Sequence, residues 1–247
     1  MGLFDFLSKK PSPKRIDKLT KRMMDEHHQQ PVRQEAMDEL VSIGTPEAIA
    51  ALIKRLGTNF RDTIKNEQEK KFVSDTLAEH FRDRSIEPLL AFIRTDQTIS
   101  AAIRTVARLI GRERLIGELC EVLASYPPKD HRTISARMQL VDALADYDDP
   151  RIIPALLPYA NDHDDDVRVK VMDLLEARVK KGHPQYDATI EALVQVLQDP
   201  EAAGRITRRA ASVLVALKAD LSKHTDALAE LLPDGFALGA DGRLAAS

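Results

Sequence analysis

Tryptophan is absent from this chain, aromatic residues make up 4% of it, and cysteine occurs once, at Cys120. A core centred on large rings is therefore excluded. The interior has to be assembled from Ala, Leu, Ile and Val through many small contacts. One cysteine allows no disulfide within the chain and disfavours a thiolate metal site. It fits a reducing, cytoplasmic setting, with Cys120 expected as a small core residue in the run LIGELCEVLASY. Strand-type runs rich in Val, Thr and Tyr are also missing, and no apolar stretch approaches the roughly 18–20 residues of a membrane span. Good helix formers dominate instead, so the expected class is all-α. The opening MGLFDFLSKKPSPKR is not expected to act as an export signal, because its positive charges follow the apolar cluster and Asp5 interrupts that cluster. Gly2 does not begin a myristoylation motif, since position 6 is Phe where Ser or Thr is required.

Charge is uneven along the chain. The formal net charge is −3, yet residues 1–22 carry seven Lys/Arg against two Asp, a local +5 that leaves −8 for the rest. The acidic body argues against nucleic acid as the partner. The basic head argues for something local.

What is present is repetition. The segments QQPVRQEAMDELVSIGTPEAIAALIKRLG, DYDDPRIIPALLPYAND and HDDDVRVKVMDLLEARV share a grammar in which a polar turn leads into a helix with apolar residues three or four apart. Val32, Ala36, Leu40 and Ile43 form one stripe, which Gly44 can end in the left-handed conformation. Thr45 is placed to cap the next helix, Pro46 suits its first position, and Ile49, Leu52, Ile53 and Leu56 form its stripe up to Gly57. Helices of one set are expected to begin near Val32, Arg61, Thr98, Asp130, Asp166 and Arg205. Those of the other set are expected near Pro46, Ser85, Arg112, Pro150, Pro184 and Thr225. Pro154 and Pro158 predict a kink within residues 150–160, with the freed carbonyls toward solvent.

These residues resemble a HEAT repeat of the bacterial, phycobilin-lyase type, most specifically at residues 31–57 and 149–179 and least at 61–81, where the helix is longer and more charged. The resemblance implies a right-handed α-solenoid of about six antiparallel helix pairs over residues 15–232, with an apolar and basic head at 1–14 and an irregular tail at 233–247. It also implies that one helix set lines a concave face. Stacked units bury what one pair cannot, so Leu→Ala at Leu40, Leu52, Leu140, Leu156 or Leu174 is expected to cost about 2–5 kcal/mol. In the tail, Phe236 and Leu238 are expected to cover the last pair.

Signals for catalysis are few. His27 and His28 adjoin Glu26, and Asn161–Asp166 reads NDHDDD, but acidic residues there suit a helix cap and first turn, so no metal, cofactor or catalytic residue is assigned. Deoxyhypusine hydroxylases resemble this pattern but carry His-Glu dipeptides for iron, and no His-Glu dipeptide occurs here. HEAT-like DNA glycosylases rely on Trp and a basic groove, which an acidic, Trp-free body does not offer. An accessory or modifying protein of the lyase type, acting on a prosthetic group, and a HEAT-like nucleic-acid-binding protein stand as alternatives to the leading expectation, a protein-interaction scaffold.

Two features are left for that scaffold to use. Arg33, Arg104, Arg137, Arg168 and Arg208 recur on the second helices. They form either a ladder that bonds acids and carbonyls of neighbouring turns, or a basic stripe on the concave face that grips an acidic partner segment. The head presents Leu3, Phe4, Phe6 and Leu7 ahead of Lys9, Lys10, Lys14 and Arg15. It can cap the first repeat, dock on another protein, or make weak contact with an anionic membrane. Pro11 and Pro13 are expected to make a hinge behind it.

Overall fold

Prolines and short polar side chains set where the helices begin. The structure, a computed structural model, describes residues 12–228 and 230–246. The first helices are α1 (Pro13–Met24), α2 (Gln30–Ile43), α3 (Pro46–Leu56), α4 (Thr63–Asp75), α5 (Ile86–Ile93), α6 (Ser100–Ala107) and α7 (Arg112–Ala124). There follow α8 (Ile134–Ala145), α9 (Ile152–Leu156), α10 (Asp165–Arg178), α11 (Tyr186–Gln198), α12 (Gly204–Leu217) and α13 (Thr225–Leu228), then strands β1 (Phe236–Leu238) and β2 (Leu244–Ala246). Every helix start read from the sequence falls within four residues of an observed one. Thr45 accepts a hydrogen bond from the Ala48 N–H at 3.3 Å, Asp62 from Lys65 at 3.0 Å, and Gly44 adopts φ +58°. Gly57 is needed for a different reason from the one expected: its φ is −85°, but an added Cβ would stand 2.7 Å from Phe92 Cζ. No helix among the described residues is long and apolar enough to cross a membrane.

The chain divides into two units, Met1–Glu118 and Leu119–Ser247. In the first, α1, α3 and α5 pack side by side as one layer, and α2, α4 and α6 form the other. In the second, α8, α10 and α12 make one layer, while α11 packs on the residues after α9 and on α13. The fold is thus all-α and built of antiparallel pairs that lean on their neighbours, the architecture of an α-solenoid.

Several expectations change. Pro13 opens α1 as its first residue, and Ile16, Leu19 and Met23 are buried, so this proline belongs to a helix that continues the repeat layer and not to a hinge. Residues 76–85 are wound as a π-turn over Thr76–Phe81 and a 3-10 turn over Arg82–Ser85, with Arg82 at φ +49°. The interruption at 150–160 is a change of helix type. Pro154 sits in the first turn of α9, where no N–H is missed, and Pro158 lies in the 3-10 segment Leu157–Asn161 that follows. The tail is not irregular throughout: β1 and β2 pair antiparallel, Phe236 opposite Ala246 and Leu238 opposite Leu244. Leu244 is the buried residue of this hairpin, β2 packs on α12, and Phe236 and Leu238 are only half-buried.

A one-residue ambiguity of face affects α10. Leu40, Leu52, Leu140 and Leu156 are fully buried, but Leu174 is half-exposed and Leu175 takes the core position. Leu175→Ala should therefore cost about 2–5 kcal/mol and Leu174→Ala clearly less, as read from urea midpoints at constant m-value.

Candidate functional site

The arginine row separates into two kinds. Arg33, Arg137 and Arg168 are 4%, 0% and 4% exposed, whereas Arg104 and Arg208 are exposed. Burial removes the first three from any surface a partner could touch, a correction to their candidacy as binding residues. Its physical cause is visible in their partners.

Arg137, on α8, spends every donor. Nε and one terminal nitrogen bond the Asp162 carboxylate at 2.7 Å each, and the remaining donors reach the carbonyls of Asp130 (2.6 Å) and Pro128 (3.2 Å) and the Thr133 hydroxyl (2.6 Å). Asp162 also accepts from the Asp164 N–H at 2.8 Å and is wholly buried. The run NDHDDD is thus no simple solvated turn. Asp164 caps α10 through the N–H groups of Asp166 and Val167, as expected, but Asp162 anchors the preceding repeat. Arg168, on α10, reaches forward in the same way to Asp199 at 2.9 Å, while its Nε has no partner among the described residues. Arg168 does not pair with Asp164–Asp166; Arg205 takes Asp165 and Asp166, at 3.2 and 3.1 Å.

In the first unit the link is denser and was not legible in the sequence. Glu69, on α4, is fully buried and receives Arg33 from α2 (3.0 and 2.7 Å) on one oxygen and Arg55 from α3 (3.0 Å) on the other. Arg55 also donates to Asn66 Oδ1 and to the Thr58 carbonyl, each at 2.8 Å. Both guanidinium groups lie over the Phe60 ring, 4.9 and 4.0 Å from its centroid. Burial pushes Arg55 down from its ordinary value, and Glu69 opposes that shift.

Side chains also cap the ends of helices in neighbouring repeats. Tyr159 donates to the carbonyls of Leu123 and Tyr126 (2.9 Å for the latter), Arg178 to those of Ala145 and Tyr147, and Tyr186 to that of Leu217. Burial pushes the Tyr159 phenol up to about 12.

What remains accessible is a groove of ≈ 210 Å³ between α4 and α6, lined by Lys70, Lys71, Arg104 and Arg108 with the carboxylates of Glu67 and Asp75. Asp75 already holds Lys71 and Arg108, and Arg108 also binds Glu79 at 2.9 Å. Arg104 has no hydrogen-bond or ion-pair partner among the described residues, and Lys70 donates to the neutral Asn59 side chain. Lys70 is 8% exposed. Burial lowers its pKa, Glu67 opposes this, and Arg55 and Arg104 lower it further. Two cations without carboxylate partners of their own therefore face one groove, which suits an incoming oxyanion.

The other candidates are placed as follows. His27 and His28 are exposed beside Asp25. Among the described residues no group of three or more His, Cys, Asp or Glu could hold a metal ion. Cys120 is half-buried, not a full core residue, and burial pushes its thiol up, away from the reactive thiolate. The head residues Leu3, Phe4, Phe6, Leu7, Lys9 and Lys10 lie outside the described residues.

The family comparison agrees on the class. Residues 32–58, which span α2 and α3, match the family model of the PBS lyase HEAT-like repeat. The protein is accordingly a helical-repeat protein carrying a HEAT-like repeat of that type. Human deoxyhypusine hydroxylase, solved in complex with glycerol, is similar over 91% of this chain and 93% of that chain, with 16% identity and a TM-score of 0.34. No curated protein matches the sequence.

Proposed function

We propose that this protein is an interaction scaffold that grips an acidic segment of a partner protein on the surface of α4 and α6. The groove holding Lys70 and Arg104 carries this reading, because these two cations lack a carboxylate partner while three of the row's other arginines are consumed inside the fold. A carboxylate entering the groove would take up the free donors of Arg104 and relieve the repulsion between Arg104 and Lys70. The helical repeat supplies a rigid support, since α4 is tied to α2 and α3 through Glu69.

The test is fluorescence anisotropy with a fluorescein-labelled hexaglutamate peptide and the full chain at low salt. Binding should weaken as salt rises. Arg104→Glu should weaken it at least about tenfold, equal to about 1.4 kcal/mol. The Tm should stay unchanged, because Arg104 is exposed and makes no bond that folding needs. Equal affinity in the variant would refute the site. Tighter binding of a labelled oligonucleotide through the same residues would move the reading to nucleic acid.

A further inference from the structure

The α4–α6 groove ends beside an apolar side chain that folding does not use. Ile64, in the first turn of α4, is 72% exposed, the more open of the two large apolar side chains exposed among the described residues. The neighbouring helix explains why. Thr105 meets Ser74 at 2.9 Å, and Arg108 meets Asp75 at 2.8 Å and Glu79 at 2.9 Å, so α4 and α6 run parallel. On that register α6, which begins at Ser100, starts more than a turn past Ile64 and does not cover it. Ile64 nevertheless shares the groove side of α4. Glu67, Lys71 and Asp75 follow it along one side of the helix, and all three line the groove.

We propose that the acidic partner segment also carries a large apolar side chain, seated on Ile64 about three residues from the acid held by Arg104 and Lys70. The inference rests on the reading of this groove as an acid site and adds the rule by which the segment is chosen. Volume separates the two contacts. The groove's ≈ 210 Å³ is little more than the roughly 150 Å³ that holds one benzene ring, so it takes one acidic side chain while the rest of the segment lies along the seam. Distance sets the spacing. Arg104, one turn before Arg108, stands level with Lys71. Ile64 and Lys71 are about 10 Å apart along the axis at roughly 1.5 Å per residue, which an extended segment at roughly 3.3 Å per residue covers in about three steps. Charge sets the order of side chains. Glu67 lies between Ile64 and Lys70 on the groove wall, and its carboxylate repels a second acid entering there, so neutral residues are favoured between the acid and the apolar anchor. Covering Ile64 removes apolar surface from water without disturbing any helix packing.

The test is fluorescence anisotropy of the full chain at low salt with fluorescein-labelled hexapeptides. One has a leucine, two glycines and three glutamates, a second has the reverse order, and matching controls carry glycine in place of leucine. The leucine peptide in one of the two orders should bind at least about threefold more tightly than its control. Ile64→Ser should abolish that gain, leave hexaglutamate affinity unchanged, and leave the Tm unchanged because Ile64 is exposed. Moving the leucine next to the glutamates should also abolish the gain. Leucine and control peptides of equal affinity in both orders, or a gain that survives Ile64→Ser, would overturn the inference while the acid site stands. Failure of the underlying reading is a different result: hexaglutamate binding is then absent or indifferent to Arg104→Glu, and both proposals fall.

Discussion

Replacing Glu69 by alanine is expected to destabilise the first unit by at least about 3–5 kcal/mol, the range for breaking a buried ion pair from one side. Two guanidinium groups lose their counter-charge at once: Arg33 and Arg55 share the Glu69 carboxylate, and all three side chains are essentially buried. The carbonyl acceptors of His28 and Thr58 and the face of Phe60 would remain, but none carries a full negative charge. For a chain of this size the loss corresponds to a Tm decrease of roughly 6–20 °C. Glu69→Gln should fall by less, because one oxygen still accepts, yet its amide donors would face donors. Glu67→Ala is the control: Glu67 is exposed on the same helix, and its loss should move the Tm little. A Glu69→Ala protein with the Tm of the natural chain would show that Arg33 and Arg55 find other partners.

The second large effect is expected at Asp162. Asp162→Ala strands Arg137, whose two bonds to that carboxylate are 2.7 Å long in a fully buried site, and the cost should again be about 3–5 kcal/mol. The double replacement Arg137→Met with Asp162→Leu should recover much of that loss. The penalty belongs to an unpaired buried charge more than to the absence of the pair, although the carbonyls of Asp130 and Pro128 would then need water. A double-mutant cycle read from urea midpoints gives the coupling directly. Additive single-variant losses, with no coupling between positions 137 and 162, would contradict the geometry. Because the chain has two units, each transition should be followed with more than one probe before a single unfolding free energy is assigned.

These two sites also show what a sequence can disclose. Helix starts at Pro46, Arg112 and Thr225 were readable because caps, prolines and glycines act locally. The apolar stripe of α3 is buried as read, at Ile49, Leu52, Ile53 and Leu56, but that of α2 was readable only in part: Ala36 and Leu40 are buried, Val32 and Ile43 are half-buried, and Arg33 and Met37 complete the buried face. The double leucine at 174 and 175 likewise left two helical faces open, and the structure chose the second. The hairpin at 236–246 was hidden by brevity, though its Gly-Ala-Asp-Gly stretch is turn chemistry. Glu69 was not readable at all. Within NEQEKK it resembles a solvated charge run, and its partners lie 36 and 14 residues away in sequence. Asp162 stood out as an acid, but nothing local distinguishes it from its capping neighbour Asp164. The arginine row was visible as a row. Its division into buried links and an exposed groove depends on which acid the next repeat brings within reach.

That division can be measured on one set of proteins, the five single variants Arg33→Met, Arg104→Met, Arg137→Met, Arg168→Met and Arg208→Met, each assayed for Tm and for hexaglutamate affinity. The predicted result is a split. Positions 33, 137 and 168 lose Tm because Glu69, Asp162 and Asp199 are left without their partners, and position 104 loses affinity with its Tm intact. An Arg137→Met protein that keeps its Tm while losing the peptide would contradict it.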